Sequence, residues 1–318
     1  YWGELGSMID AAKARRYIAM TCDTVDEEIK KSYLSFERDV VPFYSQLDDR
    51  LDRKYLASPA REKLSEHYSV FDRGRKTKAE LFREENTLLE AEDSELHAKY
   101  LEIQGAITVE IDGKTLTPQQ CGALLEKPDR SLREKSFRKL SGRRLEDRER
   151  IEEIFDEMLQ LRHRIAVNAG FDNYRDYRFR ALCRFDYEPA QCYEFHDAVE
   201  EIVVPAVRDL TARRINKLGI DSLRPWDRVV SPFGRSPAAP FENEKEYIEK
   251  TRTLFQAVDP VFEEDFDILQ RNGLLDLMSR KGKAPGGYMY PIEDMRLPFI
   301  FFNAVGTHSD IQTLLHEG

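Results

Sequence analysis

Apolar residues recur at helical spacing along most of this chain. From Val25 to Leu47 they fall at Ile29, Tyr33, Leu34, Phe36, Val40 and Val41, with charged residues between them. Thr77 to Ile103 continues in the same style and predicts a second long, heavily charged helical stretch. The period then changes. Residues 106–116, Ala-Ile-Thr-Val-Glu-Ile-Asp-Gly-Lys-Thr-Leu, alternate and carry Asp112-Gly113 at their centre, which predicts a β-hairpin. A helix is expected to open directly after it. Thr117 is placed to cap it, Pro118 fits its first position, and Gln120 would close a capping box. Leu132 to Val167 and Pro189 to Leu218 read as long helices that stop at Gly170 and Gly219. Four prolines at 225, 232, 237 and 240 predict an irregular, surface-exposed connection, and helix resumes over Asn243–Val258 and Val261–Leu269.

The last forty residues are different. Lys281 to Gly287 breaks helix, and Tyr288-Met289-Tyr290 has the character of a short strand. Pro298 to Val305 is aromatic and branched and predicts a buried strand. A final helix is expected after Gly306, with Ser309 to Gln312 as its capping box and Asp310 in its positive first turn. The fold class expected is therefore mainly α. A division is expected at the hairpin, giving an N-terminal helical domain over 1–115 and the first part of a catalytic helical domain over 116–318.

Charge narrows the function. Acids exceed bases to give a net charge of −10, and the mixed-sign run 143–150 reads as an exposed helix face, which argues against a nucleic-acid binder. Four cysteines at 22, 121, 183 and 192 have no C-x-x-C spacing, so neither a zinc knuckle nor a thioredoxin-type site is suggested, and so few in so long a chain fit reduced thiols and a cytoplasmic location. The longest strongly apolar run, Leu297 to Val305, is too short to span a membrane, and no signal peptide is visible. The first residue is Tyr1, so residues are expected to precede it.

The candidate chemistry lies at His316-Glu317. A His-acid dipeptide is weak evidence by itself, since about one is expected by chance at this composition, and His196-Asp197 is another. Position on the helix adds to it. Ile311, Leu314 and Leu315 form one apolar stripe. At ~100° per residue, His316 lies roughly 145° from the centre of that stripe and Glu317 roughly 115° on the other flank. A residue four beyond His316 would share its direction, as the two imidazoles of a zinc site of the H-E-x-x-H type require, with Glu317 beside the metal as a base. Other candidates read as ordinary surface: His308 as a solvated loop residue, His163 as a helix-surface residue, and Glu263-Glu264-Asp265 as a solvated helix face.

The segments around this pair carry a resemblance. Gly282-Lys283-Ala284-Pro285-Gly286-Gly287-Tyr288, then Pro298 to Asn303, then Gly306-Thr307, then Asp310 to Gly318, resemble in order and spacing the oligoendopeptidase F branch of the thimet oligopeptidase family. Asp112 to Lys114, Arg130 to Arg133 and Gly170 to Tyr174 are also similar. That resemblance implies a two-lobed helical zinc peptidase with a deep channel and a small β-sheet near the active site. It implies a Zn2+ cofactor with His316 among its ligands, and Glu317 as the catalytic base. It also implies that Gly287, Tyr288 and Met289 pair with the substrate backbone. Gly318 stands at the family's usual non-His position. The second histidine, the more distant glutamate ligand and the downstream substrate-contacting groups are absent here, so the chain reads as cut within the zinc motif and inactive alone.

The function expected is a zinc metalloendopeptidase of short oligopeptides, with no nucleic-acid or membrane partner. The rivals are a related helical zinc carboxypeptidase or dipeptidase, and a non-catalytic peptide-binding helical protein.

Overall fold

The computed structural model describes residues 2–318. Helix α1 (Trp2–Cys22) leads to α2 (Glu27–Ser35), whose first N–H groups are capped by the Asp26 carboxylate. A π-helical turn, Phe36–Val40, joins α2 to α3 (Val41–Leu56). The chain continues through α4 (Ser69–Leu81) and α5 (Glu84–Gly105) to the hairpin β1 (Val109–Ile111) and β2 (Lys114–Leu116). Helices α6 (Pro118–Leu124), α7 (Arg130–Glu146), α8 (Arg148–Asn168) and α9 (Tyr174–Ala181) follow. Then come α10 (Pro189–Ala198), a second π turn, α11 (Val204–Leu218), α12 (Glu244–Val258) and α13 (Pro260–Arg271). The last elements are β3 (Leu275–Met278), β4 (Tyr288–Ile292), β5 (Leu297–Ala304) and α14 (His308–Glu317). The protein is mainly α with two small sheets, as expected.

The local signals explain much of this. Asp112 and Gly113 take the positive φ values, 50° and 76°, that a tight hairpin turn requires. Thr117 and Gln120 form the capping box of α6, with Pro118 at its first position. Gly170 and Gly219 adopt φ of 89° and 63° and end α8 and α11. Two stretches expected to be continuous are broken. The helix expected over 77–103 is interrupted at Phe82-Arg83, where the Arg83 guanidinium donates to the carbonyls of Glu80, Phe82 and Asn168 and satisfies two helix C-termini. The one expected over 132–167 divides at Asp147, which is buried against Arg143.

The residues form two compact units. One comprises the chain up to Tyr33 together with Tyr100–Glu149 and Thr211–Gly318; the division expected after residue 115 falls inside it, within β2. The other comprises Leu34–Lys99 and Arg150–Leu210. Its core joins Leu81, Leu89 and Leu96 to Leu161, Ile165 and Tyr177.

In the first unit the proline-rich connection departs from expectation, because it is not all surface. Trp226, Asp227 and Val230 are buried. Asp227 is fully enclosed and is held by the guanidinium groups of Arg130 and Arg133 at 2.9 Å each. Burial opposes its ionisation, but these bonds outweigh burial and hold the carboxyl below the usual range. Prolines mark irregular backbone, and irregular backbone can still be anchored by charge.

The three-stranded sheet also lies in this unit. Its order is β3-β5-β4, with β5 parallel to β3 and antiparallel to β4. β3 had no sequence expectation. Ile300 and Phe301 of the central strand are fully buried, as the aromatic run predicted. Lys283, in the loop between β3 and β4, is enclosed at the end of this sheet. Its ammonium donates to Asp276 Oδ1 at 2.8 Å and to the carbonyls of Asp276 at 3.0 Å, Met278 at 3.1 Å and Phe302. It also lies 4.5 Å from the centre of the Phe301 ring. Asp276 accepts two further bonds from Arg280, at 2.6 and 2.7 Å. Burial works against the Asp276 carboxylate, but hydrogen bonds from Arg280, Lys283 and Cys22 outweigh it and hold the carboxyl at about 2.

Two outcomes follow from this cluster. Lys283→Met removes the ammonium from a buried carboxylate and three carbonyls, and should lower stability by about 3 kcal/mol in urea unfolding at neutral pH. Asp276 is depressed in the folded protein, so its stabilisation is complete above its ordinary value of 3.8 and is lost as pH falls through about 2. That component amounts to about 2 kcal/mol, and an Asp276→Asn variant should lack it in unfolding curves between pH 5 and 2.

Candidate active site

Helix α14 begins two residues earlier than expected. Thr307 is its N-cap and His308 its first residue, so His308 is helical rather than in a loop, and Ser309 is inside the helix. The physical reason is Asp310. Its Oδ2 accepts from three successive backbone N–H groups, of Val305, Gly306 and Thr307, at 2.8–2.9 Å. These charge-assisted bonds fix the entry of the helix better than a neutral Ser309–Gln312 pair could. Gly306, at φ 93°, permits the turn. From α12, Tyr247 reaches over and donates its hydroxyl to the Asp310 carbonyl at 2.5 Å, with its ring stacked 4.0 Å from Phe241.

The buried face of α14 is narrower than expected. Ile311 and Leu314 are 8% and 1% exposed, but Leu315 is 37% exposed. Gly318, the residue that caps the helix, is exposed as well, although it sits close to Phe255. A Cβ there would stand 3.2 Å from the Phe255 ring and 3.0 Å from the Leu314 carbonyl. With Ile311 and Leu314 as reference, His316 lies roughly 170° from their centre and Glu317 roughly 90°. Correspondingly, His316 is exposed and Glu317 is half-buried. Neither makes a hydrogen bond or ion pair among the described residues.

β4 occupies the edge of its sheet. Strand alternation puts Tyr288 and Tyr290 on one face and Met289 on the other. The two tyrosines pack against Tyr17 of α1, at 5.8 and 5.4 Å between ring centres. Tyr288 also stacks on Phe301 at 4.6 Å and shares a 2.5 Å hydrogen bond with Thr21. Burial raises its phenol well above the usual value. The Tyr288 side chain therefore belongs to the core, while Met289 is 47% exposed.

The loop leading into β4 is fixed from several sides. Asn303 of β5 donates both amide hydrogens, to Ala284 O at 2.9 Å and Gly286 O at 2.8 Å. Ala284 N donates to Thr21 O and Gly282 N to Gly105 O, at 2.8 and 2.9 Å. Sequence reasoning missed the positioning roles of Asn303 and Lys283. The signal was present, since both lie inside the segments that carried the family resemblance. Gly287 is forced to be glycine by its own chain: a Cβ there would lie 2.7 Å from the Phe302 ring. Gly286, Gly287 and Asn303 then share a cleft of about 390 Å³ with Thr307, Ser309 and Asp310 at the start of α14. His316, Glu317, Tyr288 and Met289 do not line this cleft.

An exposed imidazole without a protein partner fits one position of a zinc site. Zinc requires three or four protein ligands. Among the described residues no three His, Cys, Asp or Glu side chains gather to hold a metal. The fit is therefore limited to one ligand, with a carboxylate next to it. His163 is exposed on α8, as expected. Glu263 pairs with Arg252 at 2.6 Å, and Glu264 and Asp265 are exposed, which leaves that acidic run a helix surface.

The model of peptidase family M3 matches residues 123–318. A solved protein described as an oligoendopeptidase F from Bacillus anthracis str. Ames superposes with a TM-score of 0.89 at 25% identity, over 95% of this chain and 55% of that one. PZ peptidase A, solved with an inhibitor, gives 0.89 at 27% identity, over 95% of this chain and 54% of its own. Another protein described as an oligoendopeptidase F gives 0.93 at 25% identity, over 99% and 56%. The chain thus spans about half the length of these solved relatives. No curated protein matches the sequence significantly.

The packing at Gly287 yields a stability test. Gly287→Ala should lower stability by about 1–3 kcal/mol, because the added methyl must displace the Phe302 ring. Adding Phe302→Leu should recover part of the loss in thermal unfolding. Full stability of the single variant would show that the ring gives way freely.

Proposed function

The chain belongs to peptidase family M3, and on that premise we propose that it carries part of the catalytic machinery of a zinc metalloendopeptidase acting on short oligopeptides. The observation that carries this reading is the placement of His316 and Glu317. Both lie away from the buried face of a helix that is capped by Asp310 and packed on β5, and neither has a protein partner. The edge position of β4, paired with that same β5, supports it.

In this reading His316 is a zinc ligand and Glu317 is the general base. Zinc, when bound, supplies a Lewis acid and lowers the pKa of a coordinated water. The Glu317 carboxylate accepts the proton of the attacking water and later delivers it to the leaving amine. The extended substrate lies along Gly287, Tyr288 and Met289. Backbone pairing of that kind reads few side chains, and here only Met289 presents one away from the core, so the sequence preference is broad. Substrate size is limited by the channel that the family resemblance implies.

Three measurements test the proposal. Residues 1–318 alone should bind zinc weakly and leave a fluorogenic peptide uncleaved, because His316 is the sole ligand candidate in place. Robust zinc-dependent cleavage by this segment would mean that the site lies elsewhere. In a polypeptide with the full ligand set, His316→Ala should reduce bound metal from ~1 zinc per chain to a small fraction. Equal metal in both would remove His316 from the ligand set. In the same protein Glu317→Gln should retain zinc and lose about 10²- to 10⁴-fold in kcat. Mass spectrometry of the products separates internal cleavage from the terminal trimming of a carboxypeptidase or dipeptidase.

A further inference from the structure

A cavity of about 580 Å³ lies wholly within the second compact unit and takes no part in the proposed proteolysis. Its volume falls in the range of small-molecule sites. Its apolar wall comes from Phe71, Leu81, Phe82, Tyr177 and Ala181. Glycine at position 74 helps to keep it open. Gly74 is inside α4, where glycine costs about 0.5–1 kcal/mol relative to alanine. A Cβ there would meet nothing within 4 Å, so no packing demands the glycine.

Three polar groups on this wall lack partners among the described residues. Tyr177 is 9% exposed and its hydroxyl makes no hydrogen bond. Burial, with the Glu90 carboxylate, pushes that phenol up to about 12, so it is neutral and able to donate. Asp49 Oδ1 and Thr77 Oγ1 are buried and unpartnered as well. Buried polar groups in folded proteins are nearly always satisfied, and two on one cavity wall, with the unbonded Tyr177 hydroxyl on the same wall, point to an occupant.

Charge decides the chemistry of that occupant. The cations of the wall are already engaged. Arg75 is 2.9 Å from Asp52, Lys78 is paired with Asp48, and Arg83 is spent on backbone carbonyls. Asp49 gives its other oxygen to Arg53 at 2.8 Å. An anionic ligand finds no free cation, and a cationic one finds a carboxylate already paired. The groups left over are one acceptor and two hydroxyls, which match a neutral head that both donates and accepts. We propose that this cavity is a binding site for an uncharged amide attached to an apolar, preferably aromatic, group.

The probe is N-acetyl-phenylalaninamide, followed by saturation-transfer NMR on the intact chain, with N-acetyl-phenylalanine and phenylethylamine as the charged counterparts. The amide should bind, and both charged analogues should bind at least ~10-fold more weakly. Tyr177→Phe keeps the ring and should weaken the amide roughly three- to tenfold. Gly74→Leu favours the helix, fills the space and should abolish binding, with circular dichroism confirming the fold. The amide should also slow alkylation of Cys183, an exposed thiol on the cavity wall. Absence of binding, equal binding of a charged analogue, or binding undiminished in both variants would overturn the proposal.

Discussion

The buried Lys283–Asp276 pair is the constraint on which the candidate active site depends. A lysine with no exposed side-chain surface is costly unless every proton it carries is satisfied. Here the ammonium is shared between one carboxylate and the carbonyls of Asp276, Met278 and Phe302. Those partners belong to β3 and β5, and Lys283 itself belongs to the loop before β4. A single charge therefore ties all three strands of the sheet to one point. Burial lowers the Lys283 affinity for its proton, while the Asp276 carboxylate works to retain it. Cys22, raised to about 12 chiefly by burial, remains a thiol and adds a bond to the same carboxylate. The cluster binds α1 to the sheet through Arg280 as well, which donates to the Cys22 carbonyl at 2.8 Å.

That point fixes the loop, and the loop fixes the edge strand. With Lys283 held, Ala284 and Gly286 are in place to receive the Asn303 amide, and Gly287 is in place under the Phe302 ring. Gly105 is restricted for the same reason, since a Cβ there would come within 2.6 Å of the Thr24 hydroxyl and 3.1 Å of the Lys283 carbonyl. The glycines of this region thus answer to packing within the chain. Close approach of a substrate backbone, as proposed above, would be a second demand on Gly287 and not the first.

Much of the fold was legible in the sequence because its signals are local. The Asp112-Gly113 turn, the Thr117 capping box and the glycine stops at 170 and 219 each depend on a few adjacent residues. Missed features depend on distant partners. Nothing near Arg83 announces that its guanidinium will close two helix ends, 85 residues apart in the case of Asn168. Trp226 and Asp227 were hidden in a loop because their burial requires Arg130 and Arg133 from another helix. β3 escaped because a short strand at a sheet margin has too few residues to show a period. At the candidate site, the His316-Glu317 pair and a short strand over Tyr288–Tyr290 were readable, since motif and alternation are local patterns, although the strand runs on to Ile292. The Leu315 error has the same origin as the loops: a helical wheel places Leu315 in the apolar stripe, but distant elements decide which positions are covered, and of the three only Ile311 and Leu314 are buried.

Under the proposed function the arrangement has a mechanical consequence. Strand β5 pairs directly with β4, and α14 packs on the same strand while its entry is locked by Asp310 immediately after β5 ends. The edge strand proposed to hold the substrate and the helix bearing His316 and Glu317 are therefore referenced to one buried strut, with Ile300 and Phe301 fully enclosed at its centre. Proteolysis needs the scissile carbonyl, the attacking water and the base to meet within a few tenths of an ångström, and small misplacements are expensive in rate. A peptide recognised through its backbone contributes little side-chain leverage to its own alignment. Alignment must then come from the protein. A common strut supplies it without requiring the substrate sequence to take part, which is the condition a peptidase of broad preference has to meet.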